Sequence, residues 1–92
     1  DHLPYTICKA ALAALTRSLA VALAPTITVN GLALGAILPP SDGGDLEAAI
    51  QSVPAGRWAQ AEEVGRALIY LVGGATYTTG EILHVDGGRH LI

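Results

Sequence analysis

The sequence predicts an α/β fold in which parallel strands are joined through helices, and three observations predict it. Apolar residues recur at helical spacing in two stretches, 5–23 and 61–72. Each stretch is followed by a β-branched or alternating run, at 26–34 and 81–85. Clusters of turn residues, Pro39-Pro40-Ser41-Asp42-Gly43-Gly44 and Gly73-Gly74 among them, separate these runs. The order helix, strand, loop, helix, strand is that of the back half of an α/β domain.

In the first helix Cys8, Leu12, Leu15, Leu19 and Ala22 form an apolar stripe expected to be buried, Pro4 favours the start, and Pro25 ends it. Ala10, Ala11, Ala13 and Ala14 leave a flank without bulk, which permits close approach of a neighbour. Thr26-Ile27-Thr28-Val29-Asn30, continued by Leu32 and Leu34, reads as a buried strand that Gly35 closes. Pro39, Pro40, Ser41, Asp42, Gly43 and Gly44 read as a loop, and residues 45–53 as a short, mobile helix. Glu62 and Glu63 occupy the positive end of the second helix, where Val64, Leu68, Leu71 and Val72 make the core stripe and Gly73-Gly74 the cap. The last strand, 81–85, stops at Asp86-Gly87-Gly88.

Hydrophobic residues make up 51% of the 92 positions and charged residues 14%, and mean hydropathy is +0.47. A self-sufficient domain of this size has a high ratio of surface to volume and should be more polar. With no methionine in the chain, the expectation is a fragment whose missing part lies upstream. The net charge is −3 and the five basic residues are scattered singly, so no stripe exists that would neutralise nucleic-acid phosphates. One cysteine forms no internal disulfide and suits a reducing compartment, with cytoplasm the default. The uncharged run 18–41 is long enough to raise a membrane question, but Pro25, Asn30, Gly31, Gly35 and Pro39-Pro40 would break a spanning helix. No membrane association and no signal peptide are expected.

The lysine Lys9 lies four residues after Tyr5, which puts both side chains on one face of a helix. An ammonium held a few ångströms from a phenol favours the phenolate, and a tyrosine so placed exchanges a proton with an alcohol or carbonyl. On spacing alone, a surface tyrosine beside a solvated lysine is the commoner arrangement. The wider context shifts that balance. Tyr5-Thr6-Ile7-Cys8-Lys9 is followed by Val29-Asn30-Gly31-Leu32-Ala33-Leu34-Gly35, Gly56-Arg57-Trp58-Ala59-Gln60-Ala61-Glu62-Glu63-Val64 and Thr79-Gly80-Glu81-Ile82-Leu83-His84-Val85-Asp86-Gly87-Gly88. In that order these segments resemble the C-terminal part of the short-chain dehydrogenase/reductase family, over essentially the whole chain.

The resemblance implies a Rossmann-like doubly wound parallel sheet, of which residues 1–92 would be the C-terminal part of a single domain. It also implies NAD(H) or NADP(H) as cofactor and a small carbonyl or alcohol as substrate. Tyr5 then becomes the general acid/base and Lys9 also a ligand of the nicotinamide ribose. Gly35 and Ile37 match the segment that contacts the nicotinamide carboxamide. No metal is implied, and the first helix corresponds to one that packs against its counterpart in homodimers and homotetramers. Enoyl reductases of the superfamily use a longer spacing that would put Leu12 at the lysine position, which disfavours that branch. Two positions depart from the pattern: Leu34 stands where proline is usual, and Pro39, lacking hydroxyl and N–H, where threonine is usual. The family's Gly-rich phosphate loop and catalytic Ser and Asn belong upstream of Tyr5, and none of Ser18, Ser41 or Ser52 matches that Ser.

Other residues read more plainly. Asn30 satisfies backbone groups, His84 is a core or interface residue, His2 and His90 sit at frayed ends, Cys8 packs on the buried stripe, and Trp58 anchors the second helix. Residues 38–53 correspond to the substrate lid, and Gly35-Ala36-Ile37-Leu38-Pro39-Pro40 is similar to pteridine-reducing members. Two functional readings follow: part of an NAD(P)-dependent oxidoreductase, or a non-catalytic remnant serving as a packing or oligomerisation module.

Overall fold

The computed structural model describes residues 3–35 and 50–92. In chain order it holds helix α1 (Leu3–Leu23), strand β1 (Gly31–Leu34), helix α2 (Ala61–Ile69) continued by a π-helical turn (Tyr70–Gly74), strand β2 (Ile82–Val85) and a 3-10 turn (Arg89–Leu91). The strands are hydrogen-bonded neighbours. The Gly31 N–H donates to the Glu81 carbonyl at 2.9 Å and the Gly35 N–H to the Val85 carbonyl at 3.0 Å. Pairing thus advances in the same direction along both strands, and the small sheet is parallel. The α/β class and the element order are those the sequence predicts. The chain divides into two compact units, Asp1–Gly31 with Ala75–Leu83 and Leu32–Gly74 with His84–Ile92.

In the first unit, small residues set the packing distance. Thr16 and Ala20 are the buried residues of α1. A Cβ on Gly31 would stand 3.9 Å from the Thr16 hydroxyl, and one on Gly80 would stand 3.3 Å from the Ala20 methyl. The Thr16 hydroxyl donates to the Leu12 carbonyl at 2.8 Å, so its polar group enters the packing already paired. Close approach is therefore made by Thr16 and Ala20, a different row from the alanine flank at positions 10–14. The leucine stripe departs from expectation more sharply. Leu12 is 57% exposed and Leu15 51% exposed, and Cys8 is exposed as well. Its face of α1 is not the one that packs on glycines.

By length and composition α1 is long and apolar enough to cross a membrane, whereas the sequence raised that question at 18–41. Lys9 and Arg17 lie within this helix, and a cation near a bilayer centre costs about 2.5–3.5 kcal/mol.

Beyond the helix, β1 is shorter than its β-branched run. Thr26 and Ile27 each donate their N–H to the Leu23 carbonyl at 3.0 Å, so these residues finish α1 rather than join the ladder. Sheet-like bonding begins at Val29, whose N–H reaches the Thr79 hydroxyl at 3.1 Å and whose carbonyl accepts from Gly80 at 2.7 Å. Asn30 then spans the gap, donating from Nδ2 to the Thr78 carbonyl at 3.1 Å and accepting the Glu81 N–H at Oδ1, 3.0 Å away. Its amide acts as one more peptide group at the entrance to the strand pair.

The second unit is organised around the turn after β2. Gly87 and Gly88 have φ of +63° and +92°, a region that L side chains rarely adopt. The same glycines admit their neighbours closely: a Cβ on Gly87 would lie 2.7 Å from a Val53 methyl carbon, and one on Gly88 3.1 Å from the Pro54 ring. Val53 is one of the buried hydrophobic residues, and the Ala55 N–H donates to the Gly87 carbonyl at 2.9 Å. At the start of α2, Glu63 reaches back to accept the Gln60 N–H at 2.9 Å, satisfying a donor that the helix leaves open. Val64 and Leu71 are half-buried, but Leu68 and Val72 of the expected core stripe are exposed. The helix itself closes through the π-helical turn ending at Gly74. Of the expected helix at 45–53, Ile50 and Gln51 are helical; its earlier residues lie outside the described ones.

Candidate active site

Tyr5 and Lys9 project from the first turns of α1, as their spacing predicts. Lys9 Nζ stands over the face of the Tyr5 ring, 5.4 Å from its centroid, within the range where a cation is attracted by the electron-rich face of an aromatic ring. The Tyr5 residue is 63% exposed. Neither side chain has a hydrogen-bonding partner among the described residues, and the first turn of α1 carries no acidic residue. A phenol and an ammonium are thus presented together with their polar ends available. Cys8, between them in sequence, is exposed rather than packed, because among the described residues no element lies over that part of the helix.

Gly35 belongs to the other unit and ends β1. A Cβ at this position would fall 2.6 Å from Asp86 Cβ and 2.7 Å from its Cα. The glycine therefore permits close approach of the Asp86 backbone, and its N–H is committed to Val85. Ile37 and Pro39 lie outside the described residues. So do Gly43, Gly44 and most of the segment likened to a lid.

A second polar cluster lies entirely in the second unit. The Asp86 carboxylate accepts the Gly88 N–H at 3.0 Å and the His90 N–H at 3.1 Å. His90 Nδ1 sits 2.8 Å from Asp86 Oδ2. Burial pushes the Asp86 carboxyl up, but these donors outweigh it and hold the group below the usual carboxylate value. The His90 ring stacks on His84, with centroids 3.9 Å apart and planes 14° from parallel. Far from fraying, His90 is tied at both ring and backbone. Nearby in sequence to α2, Arg57 forms a two-pronged pair with Glu63, at 2.8 Å and 2.9 Å. Hydrogen bonding from Arg57 and then from the Gln60 N–H holds the Glu63 carboxyl down at about 2, and Glu63 raises the Arg57 guanidinium in turn. Trp58 is half-buried, its carbonyl accepting from Arg57 at 3.1 Å.

Arg57, Glu63, His84, Asp86 and His90 line a cleft of about 270 Å³. Sequence reasoning missed this cluster, although Asp86 and His90 are four residues apart across a Gly-Gly turn and Gln60 precedes Glu63 at capping-box spacing. Among the described residues no group of three His, Cys, Asp or Glu side chains is placed to hold a metal ion.

A family profile described as enoyl-(acyl carrier protein) reductase matches residues 1–90. Carbonyl reductase family member 4 of Danio rerio is 41% identical, covering 96% of this chain and 38% of its own length. The 3-oxoacyl-[acyl-carrier-protein] reductase FabG of Rickettsia felis is 36% identical, covering 96% of this chain and 39% of its own. Among solved structures, FolM alternative dihydrofolate reductase 1 from Brucella canis, complexed with NADP, superposes with a TM-score of 0.85 and 40% identity, over 98% of this chain and 35% of that one. The chain spans about two-fifths of the length of the curated relatives it matches.

Proposed function

The chain belongs to the short-chain dehydrogenase/reductase family, and on that premise we propose that it is the proton-transferring part of an NAD(P)-dependent oxidoreductase acting on a small carbonyl or alcohol. The observation that carries this reading is the pairing of Lys9 Nζ with the Tyr5 ring at 5.4 Å. In reduction, the Tyr5 hydroxyl gives its proton to the substrate oxygen as that oxygen gains charge; in oxidation it takes the proton back. Lys9 keeps a positive charge beside it and offers donors to ribose hydroxyls. The nicotinamide, when bound, supplies or accepts the hydride at the substrate carbon. Tyr5 and Lys9 fit the ribose end of such a cofactor, since neither has a partner among the described residues. Gly35 and Ile37 are proposed on the carboxamide side, Ile37 through its backbone.

The finer points rest on different supports. Coverage of about two-fifths of the relatives' length supports reading residues 1–92 as part of one domain, inactive without the rest. A pteridine-like substrate is supported by the run 35–40 and by the FolM likeness. The four-residue step from Tyr5 to Lys9 supports carbonyl over enoyl chemistry, although the matching profile carries an enoyl reductase description. The lone Cys8 fits a reducing, cytoplasmic setting. Exposed Leu12 and Leu15 support a homodimer or homotetramer built on α1. The same two leucines favour the second reading, a non-catalytic packing module.

Tyr5→Phe in the complete protein distinguishes the readings. It should lower kcat for a carbonyl substrate about 10²-fold or more while leaving the oligomer intact. Near-normal turnover in that variant would assign the proton to another group.

A further inference from the structure

We propose that the turn after β2 is a proton-operated clasp, in which a protonated His90 ring locks the Arg89–Leu91 turn onto the Asp86 carboxylate and over the His84 ring, and loss of that proton loosens it. The geometry is that of a closed latch. Asp86 Oδ2 faces His90 Nδ1 at 2.8 Å while both carboxylate oxygens also hold backbone N–H groups of the same turn. Asp86 is only 10% exposed at its side chain, so its charge is poorly served by water and depends on those donors. An imidazolium makes a charge-assisted bond to it, and a neutral imidazole makes a weaker one.

His84 confines the clasp to one proton. Two imidazolium rings stacked at 3.9 Å would repel, so the stack admits one charge, and Asp86 lies against His90 at 2.8 Å. The other charged groups lining the same cleft are Arg57 and Glu63, which neutralise one another in their two-pronged pair. Arg89 directs its guanidinium to the Ile92 carbonyl at 3.5 Å. Within this set, His90 is the group whose ring touches Asp86, at 2.8 Å. Histidines change charge between about pH 5 and 8, where Asp86, held below the usual carboxylate value, stays ionised. The clasp is closed at the acid end of that span and looser at the other, and it reshapes a cleft of about 270 Å³ that His84, Asp86 and His90 help to line.

In the complete protein, amide hydrogen exchange at Gly88 and His90 reads the clasp directly, since both N–H groups bond to Asp86. Corrected for intrinsic rates, their protection should fall about two- to fivefold between about pH 5.5 and about pH 7.5. His90→Gln should abolish that fall, and His84→Leu, which keeps the Asp86 pair, should retain it. Protection independent of pH in the unaltered protein, or the same fall in His90→Gln, would overturn the proposal. Loss of the fall in His84→Leu would move the proton to His84 and overturn it equally.

Discussion

At the start of α1, Tyr5 and Lys9 stand exposed without a polar partner among the described residues, whereas after β2 the Asp86 carboxylate gathers three donors from Gly88 and His90. Both regions are short and both carry ionisable groups. The difference separates chemistry from architecture. On the function proposed above, the polar ends left available at Tyr5 and Lys9 serve a ligand, and the carboxylate whose bonds are all internal holds the chain in shape. Substitutions at the first should therefore change turnover and spare stability, and those at the second should do the reverse.

The sharpest expected contrast is Lys9→Met in the complete protein. It should cost about 10²-fold in kcat/KM for a carbonyl substrate and shift stability by no more than about 0.5 kcal/mol, because the side chain is exposed. Steady-state assays beside thermal melts check both halves. Equal losses in activity and stability would break the contrast.

Gly87→Val tests the opposite pole. A β-branched side chain at φ +63°, aimed at a Val53 methyl carbon 2.7 Å away, should destabilise by about 3 kcal/mol or more. Wild-type melting would mean that the turn relaxes freely. Asn30→Ala is next in size. It removes both bonds that tie the entrance of β1 to Thr78 and Glu81, at a cost of about 1–3 kcal/mol by denaturant titration; an unchanged midpoint would show the amide bridge to be dispensable.

The smallest effect concerns pH at the start of α2. The Glu63 carboxyl is held at about 2, below its ordinary 4.5. Its contribution is therefore complete above the ordinary value and is lost as pH falls toward the depressed one. Helicity at α2 should decline over that acid interval, and Glu63→Gln should remove the decline. Because the pair is exposed, the effect is modest and shrinks with salt.

What was legible in the chain followed from local rules. Pro4, Pro25 and the recurring leucines outlined α1, and the four-residue step from Tyr5 to Lys9 placed both on one face. The strand predicted at 26–34 is longer than β1 because Thr26 and Ile27 have strand propensity yet bond back to Leu23, a choice that propensity does not carry. The apolar stripe of α1 reads as buried from sequence yet is exposed at Leu12 and Leu15, because helical periodicity reports amphipathicity and not what lies opposite. From sequence His90 reads as a frayed end, since its partners Asp86 and His84 become neighbours only once β2 and its Gly-Gly turn are formed. Tyr5 and Lys9 are legible as a helical pair, but that their polar ends lack a hydrogen-bonding partner among the described residues emerges only from the structure.

On the function proposed above, this chain holds the proton-transferring residues of a nicotinamide site and not those that bind the diphosphate. Calorimetric titration of the 92-residue chain with NADPH and NADH, read beside a thermal melt, tests it most directly. Two or three hydrogen bonds at about 1 kcal/mol each do not offset the cost of immobilising a dinucleotide, so no micromolar binding is expected. A micromolar Kd together with a cooperative melt would show a complete binding unit and contradict the claim.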